Sequence, residues 1–185
     1  MSRTESTMLA LGTSAPEFAL PDVTSGEIIT LDRFKEKQAL LVMFICRHCP
    51  YVKHVQAELA RMGKDYEREP VAMLAISSND AIAYPDDAPG SLRDMAAELD
   101  FRFPYCYDES QDVARKYGAV CTPDFFVFDR ARELVYRGQL DDSRRGNATP
   151  VTGRDVRHAI DCVLSGAQVD PVQQPSIGCN IKWRN

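Results

Sequence analysis

No stretch of this 185-residue chain is long and apolar enough to mark a membrane span. The amino-terminal region offers only Met8 to Leu11, where a signal peptide needs an apolar stretch of ~7–15 residues and a membrane helix ~18 or more. A cytoplasmic location and no membrane partner are therefore expected. A basic stripe is also missing. Lysine and arginine total 22 against 27 acidic residues, for a net charge of −5, and Asp141 and Asp142 precede Arg144 and Arg145. Nucleic-acid binding needs clustered positive charge, so no nucleic-acid partner is expected. There is no second C-x-x-C and no H-x-x-x-H pair, so the four ligands of a structural zinc site are not available. His48 and His54 could join Cys46 and Cys49 only by leaving their helix faces. No metal and no organic cofactor are expected. Nor is there an internal repeat, a low-complexity stretch or a linker, and the length suits one domain with a sizeable core.

What the chain does contain is an alternation of apolar runs and helical patterns. Ala39 to Phe44 ("ALLVMF") and Val71 to Ser78 read as strands buried on both faces of a sheet. Val52, Val55, Leu59 and Met62 mark one face of a helix after Pro50. Ala83 to Gly90 reads as a loop broken by Pro85, Pro89 and Gly90. Ser91 to Asp100 reads as a helix capped by Ser91, with Asp94 near the capping-box position. Asp108 to Tyr117 reads as another helix, and Asp124–Asp129 with Glu133–Gly138 as a hairpin. A last helix, Gly153 to Leu164, is expected under a Thr152 cap. Residues from about 166 onward form an extended tail, and about 1–14 an amino-terminal extension. Strand, helix, strand, helices, hairpin and helix in this order predict an α/β sandwich with a mixed sheet over residues 1–185.

The chemistry concentrates in "FICRHCPYVKH", Phe44 to His54. A cysteine between a buried strand and a helix start faces free N–H groups that favour a thiolate. Such settings lower a thiol of pKa ~8.5 to roughly 3.5–7.5. Cys46 is expected to be the attacking thiolate and Cys49 to resolve the mixed disulfide. Arg47 and His48 are expected to tune the pair by stabilising the reduced form, which makes a couple more oxidising. The known span is roughly −270 to −120 mV, and this pair is placed above its reducing end. The alternative reading of the same residues is half of a metal site or structural thiols. Cys121, two residues before Pro123, is either a third thiol near the pair or a packed core residue. Cys179 is either an extra resolving cysteine or part of a covering tail. Asp80, at the end of a strand, is either a proton relay or a cap. Asp86 and Asp87 read as loop residues, His54 as a surface residue, and Cys106 and Cys162 as structural.

Several stretches together carry a family resemblance: "APEFALPDVTSGEIITLDRFKEKQALLVMF", "HCPYVKHV", "ISSNDA", "YPDD", "AVCTPDFFVFD", "YRGQLDDSR" and "PSIGCNIKW". The chain resembles the redoxin branch of the thioredoxin superfamily, and within it a peroxiredoxin-like group with a C-x-x-C motif. The resemblance covers nearly the whole chain. It implies a thioredoxin-like three-layer sandwich and a cis Thr122–Pro123 bond facing the cysteines, where Thr122 and Pro123 order the substrate backbone beside Cys46. It also implies thiol–disulfide exchange with protein or small-molecule disulfides, and an external thiol reductant such as a thioredoxin or glutathione system. A competing implication is peroxide reduction at Cys46. A peroxiredoxin requires proline seven residues, and threonine or serine three residues, before its reactive cysteine. Those positions here are Ala39 and Met43, so dithiol–disulfide exchange is preferred. The resemblance leads us to expect asparagine in many relatives at the position that holds Arg47 here.

Overall fold

The computed structural model describes residues 3–184 and sets the longest apolar runs at the centre of a five-stranded sheet. The central strand is β4 (Ala39–Phe44), in which every residue is buried. β5 (Val71–Ser77) runs parallel to it on one side, followed by β6 (Tyr105–Tyr107), also parallel. On the other side the antiparallel β8 (Asp124–Phe128) leads to β9 (Leu134–Gly138). The sheet is thus mixed, in the order β6-β5-β4-β8-β9.

The period-two alternation of β4 divides the core into two layers. Ala39, Leu41 and Met43 face one side, where they meet α1 (Pro50–Tyr66) and α4 (Arg154–Ser165). Leu40, Val42 and Phe44 face the other, against Phe18, Ile29, Val113 and Tyr117. Val52, Leu59 and Met62 of α1 are fully buried, and each contributes roughly 1.5–3 kcal/mol of transfer free energy. No described helix is long and apolar enough to cross a membrane.

Several boundaries differ from the sequence reading, each for an identifiable reason. α2 runs Pro89–Glu98 and so includes the two residues read as breakers. Proline is tolerated at the first helical position, because its missing N–H has no partner there anyway. The N-cap is accordingly Ala88, not Ser91. α3 is only Asp112–Lys116, because Gln111 adopts φ 64 and cannot continue a helix backwards. α4 starts after Gly153, and the Leu140 carbonyl accepts from the first-turn N–H groups of Asp155 and Val156 at 3.2 and 3.4 Å. The Asp141 carboxylate accepts from the Thr152 and Gly153 N–H groups, each at 2.7 Å.

The amino-terminal extension and the extended tail each hold a strand. β1 (Arg3–Glu5) pairs with β10 (Ile177–Asn180), which pairs in turn with β7 (Cys121–Thr122). β2 (Ala19–Pro21) and β3 (Ile28–Thr30) form a separate hairpin. The amino-terminal extension and the carboxyl-terminal tail therefore meet, and the tail strand lies beside the segment leading into Pro123.

Candidate active site

β4 ends at Phe44 and α1 starts at Pro50, so the turn between them carries both cysteines. Pro50 begins the helix, and its N-cap is Cys49. The residue set against the N–H groups of the first turn is therefore Cys49, not Cys46 as the sequence led us to expect. The Val52 N–H leans towards Cys49 Sγ without completing a cap bond.

Both sulfurs touch Thr122, and the two thiols influence each other's titration. Cys46 Sγ lies 3.3 Å from Thr122 Oγ1, and Cys49 Sγ lies 3.2 Å from Thr122 O. The Thr122–Pro123 peptide bond is cis. Hydrogen bonding from Cys46 pulls the Cys49 thiol down to about 5 against the effect of burial, helped by the Cys179 thiol. Cys46 moves the opposite way, well above the ordinary thiol range. Its hydrogen bond to Cys49, its burial and the Asp87 carboxylate all raise it, and the Thr122 hydroxyl opposes them. The pair thus shares one proton. Thr122 serves both positions of that proton. Its carbonyl accepts from Cys49 when the proton is there, and its hydroxyl then donates to Cys46.

The principal residue missed from sequence is Asp87. It lies in a short 3-10 turn (Pro85–Asp87) and is completely buried. Oδ1 accepts from the backbone N–H of Arg47 at 2.8 Å and of His48 at 3.1 Å. Oδ2 accepts from Asn79 Nδ2 at 2.7 Å and makes a very short contact with His48 Nδ1. Burial works against its charge, yet bonds from His48 and Asn79 hold the carboxyl below its usual range. The run "YPDD" announces a turn, but nothing in it says that the second aspartate points inward.

The remaining sequence candidates separate clearly. His48 belongs to the site: Nδ1 is 4.0 Å from Cys46 Sγ, and its ring stacks on Tyr84 at 5.3 Å. The Arg47 side chain turns away, donating to Ser91 O at 2.5 Å and to both Glu98 carboxylate oxygens at 2.9 and 3.1 Å. It does not touch the sulfurs, which corrects its expected tuning role. Asp80 accepts from the Ile82 N–H at 3.0 Å and faces Arg184 at 3.6 Å, so it serves the turn after β5. Cys121 alternates with Thr122 along β7, and its sulfur is 3.9 Å from Pro123 O. Burial pushes it far above the usual thiol range. Burial likewise pushes Cys106 up to about 12. His54 bonds Ser143 Oγ at 2.8 Å. Cys179, by contrast, is brought directly opposite Thr122 by the β10–β7 register, within hydrogen-bonding contact of Cys49.

Thr122 and Pro123 do not offer the substrate-ordering edge that the resemblance implied. β10 already pairs with β7 at Thr122, and Ser176 Oγ donates to Pro123 O at 2.8 Å. The chain's own tail takes the backbone positions assigned to substrate.

Cys46 Sγ, His48 Nδ1 and an Asp87 oxygen all lie within 4.8 Å of one another, the one such donor cluster among the described residues. Its donors are already engaged: Asp87 holds two backbone N–H groups and Asn79, and Cys46 is set on the Thr122 hydroxyl. The set fits a hydrogen-bonded thiol better than a metal ion.

Comparison with known proteins places these features in a family. The AhpC/TSA family profile matches residues 11–137. Over 138 residues the chain is 23% identical to the thiol-disulfide oxidoreductase ResA of Bacillus thuringiensis subsp. konkukian, covering 71% of each. Among solved structures, an uncharacterized conserved protein from Geobacillus kaustophilus is 52% identical, with TM-score 0.97 over 100% of this chain and 97% of that one. A thiol:disulfide interchange protein of the thioredoxin family from Chlorobium tepidum TLS is 17% identical, with TM-score 0.64 over 84% of this chain and 98% of that one. The fold is therefore the thioredoxin fold, and over more than half its length the chain belongs to the AhpC/TSA family.

Proposed function

We propose that the protein is a thiol–disulfide oxidoreductase working through a Cys46–Cys49 dithiol/disulfide couple. The observation that carries this reading is the convergence of both sulfurs on Thr122, Cys46 on its hydroxyl and Cys49 on its carbonyl. The similarity to enzymes named thiol-disulfide oxidoreductases agrees with it.

Cys46 is the sulfur that meets substrate. It adjoins His48, which lines a shallow surface hollow with Ala83, Tyr84, Pro85 and Asp86, whereas Cys49 is enclosed by Thr122 and Cys179. Cys49, whose thiol is held low, is the internal base. It takes the Cys46 proton as Cys46 Sγ attacks a substrate disulfide and one substrate sulfur leaves as thiolate. Cys49 then attacks Cys46 Sγ, closing the protein disulfide. The second substrate sulfur leaves with the Cys49 proton. The substrate gains two electrons and the pair loses two, and an external dithiol restores the pair. In reverse the same steps oxidise a dithiol.

Because the backbone edge of Thr122 is taken by β10, small disulfides that enter beside His48 are the favoured substrates. Peroxide reduction lacks support at either cysteine. Counted from Cys46, the positions for proline and threonine hold Ala39 and Met43; counted from Cys49, they hold Val42 and Cys46. The test is turnover of oxidised glutathione and of hydrogen peroxide, side by side, with dithiothreitol as donor. Disulfide turnover that is abolished by Cys46→Ser and by Cys49→Ser is expected. Rapid peroxide turnover that needs only one of the two cysteines would overturn the proposal.

A further inference from the structure

The tail strand β10 carries Cys179 to the cysteine pair in a way that packing alone does not require. Residues directly opposite in an antiparallel pair share a face, with Cβ atoms ≈ 4.5–5.5 Å apart. Cys179 is opposite Thr122, whose hydroxyl touches Cys46 and whose carbonyl touches Cys49. The Cys179 side chain therefore points to the same face as both sulfurs, and it is buried there. Its neighbour Gly178 has the backbone so close that a Cβ would overlap the Thr122 carbonyl and lie 3.1 Å from Pro123 N. The strand is further held by Ser176, which donates to Pro123 O at 2.8 Å and takes part in backbone pairing with Ser6 at 3.0 Å. Its far side is covered by β1.

We propose that Cys179 is a third redox residue, carried on a strand that occupies the substrate edge of the site, and that it forms an alternative disulfide with Cys49. This rests on the Cys46–Cys49 reading and extends it. In the step, Cys179 Sγ attacks Cys49 Sγ of the closed Cys46–Cys49 disulfide. The Cys49–Cys179 bond forms, the Cys46–Cys49 bond breaks, and Cys46 leaves as thiolate and takes the proton lost by Cys179. No electrons enter or leave, so no co-reactant is needed. The product has Cys46 reduced again while the oxidising equivalent is stored beneath the surface. An external dithiol later returns the Cys49–Cys179 pair to two thiols, as it does the first pair.

The test uses the full chain as wild type, Cys46→Ser and Cys179→Ser. Each is oxidised with diamide, which accepts two electrons and two protons per dithiol, then alkylated and mapped by mass spectrometry. For Cys46→Ser, a Cys49–Cys179 linkage with loss of two thiols is expected. In wild type it should accompany the Cys46–Cys49 linkage, and in Cys179→Ser only the latter should remain. Cys46→Ser protein that keeps both Cys49 and Cys179 alkylatable under conditions that oxidise wild type would overturn the proposal. If that variant does not fold, the wild-type map decides: the Cys49–Cys179 peptide supports the proposal and its absence refutes it. A missing Cys46–Cys49 linkage in Cys179→Ser would instead refute the underlying couple, so the two failures are distinguishable.

Discussion

Replacing Asp87 with asparagine tests how the cysteine turn is held. The carboxylate is fully buried and binds four donors: the Arg47 and His48 N–H groups on Oδ1, and Asn79 Nδ2 and His48 Nδ1 on Oδ2. An asparagine oxygen at the Oδ1 position keeps the first two. Its amide nitrogen then faces the Asn79 amide, donor against donor. Asn79 cannot turn over without cost, because its Oδ1 accepts from the Lys182 N–H at 2.8 Å. Two charge-assisted bonds are lost at about 1.5 kcal/mol or more each, or about 3 kcal/mol of unfolding free energy. With a urea m-value of about 1–3 kcal/mol/M, the midpoint should fall by roughly 1–3 M. The sign with pH follows from Asp87 sitting below its usual range. The wild-type advantage is complete above the ordinary carboxylate pKa and closes as pH falls through the lowered value. The same change removes a charge that raises Cys46, so the Cys46 thiol should titrate lower. That stabilises the reduced form and moves the couple to a more oxidising potential. Urea unfolding and thiolate absorbance at 240 nm read the two effects. An unchanged midpoint, together with a Cys46 titration that stays put or rises, would refute the reasoning.

Arg47→Ala should leave the titration of both cysteines in place and cost about 1 kcal/mol, because its partner Glu98 is largely exposed; a displaced thiol titration would restore the tuning role. Gly178→Ala should lift β10 from Thr122 and speed iodoacetamide labelling of Cys179 at least tenfold, whereas unchanged labelling would show that the strand tolerates the methyl group. Asp124 is fully buried, and burial holds its carboxyl well above the usual range, opposed only by the Phe125 N–H. Its folded form keeps a proton that the unfolded chain releases, so wild-type stability should fall relative to Asp124→Asn as pH rises from about 4 towards that raised pKa. Thermal midpoints from pH 4 to 9 that run parallel in the two proteins would contradict this.

The elements most legible in the sequence were those with a strong internal period. β4, β5, α1 and the β8–β9 hairpin announce themselves because their burial pattern is local. The short strands do not. β7 and β10 contain two and four residues, and only their pairing across more than fifty residues makes them strands. The same distinction divides the site. A C-x-x-C before a helix is visible in one line of sequence. Which cysteine stands at the helix cap depends on where the helix begins, and Pro50 places that start one turn beyond Cys46. Asp87 and Cys179 act through contacts with residues 40 and 130 positions away in the chain. No local pattern separates them from a solvated loop aspartate and a tail cysteine.

The central claim is that Cys46 and Cys49 form a reversible two-electron couple. Equilibration of the reduced full-length protein in glutathione buffers of graded potential, with mass-spectrometric mapping of acid-quenched samples, tests it most directly. The account predicts a Cys46–Cys49 disulfide that appears in a two-electron transition, above the reducing end of the thioredoxin-like range at roughly −270 mV. If no disulfide joining Cys46 to Cys49 forms at any potential, the account is wrong.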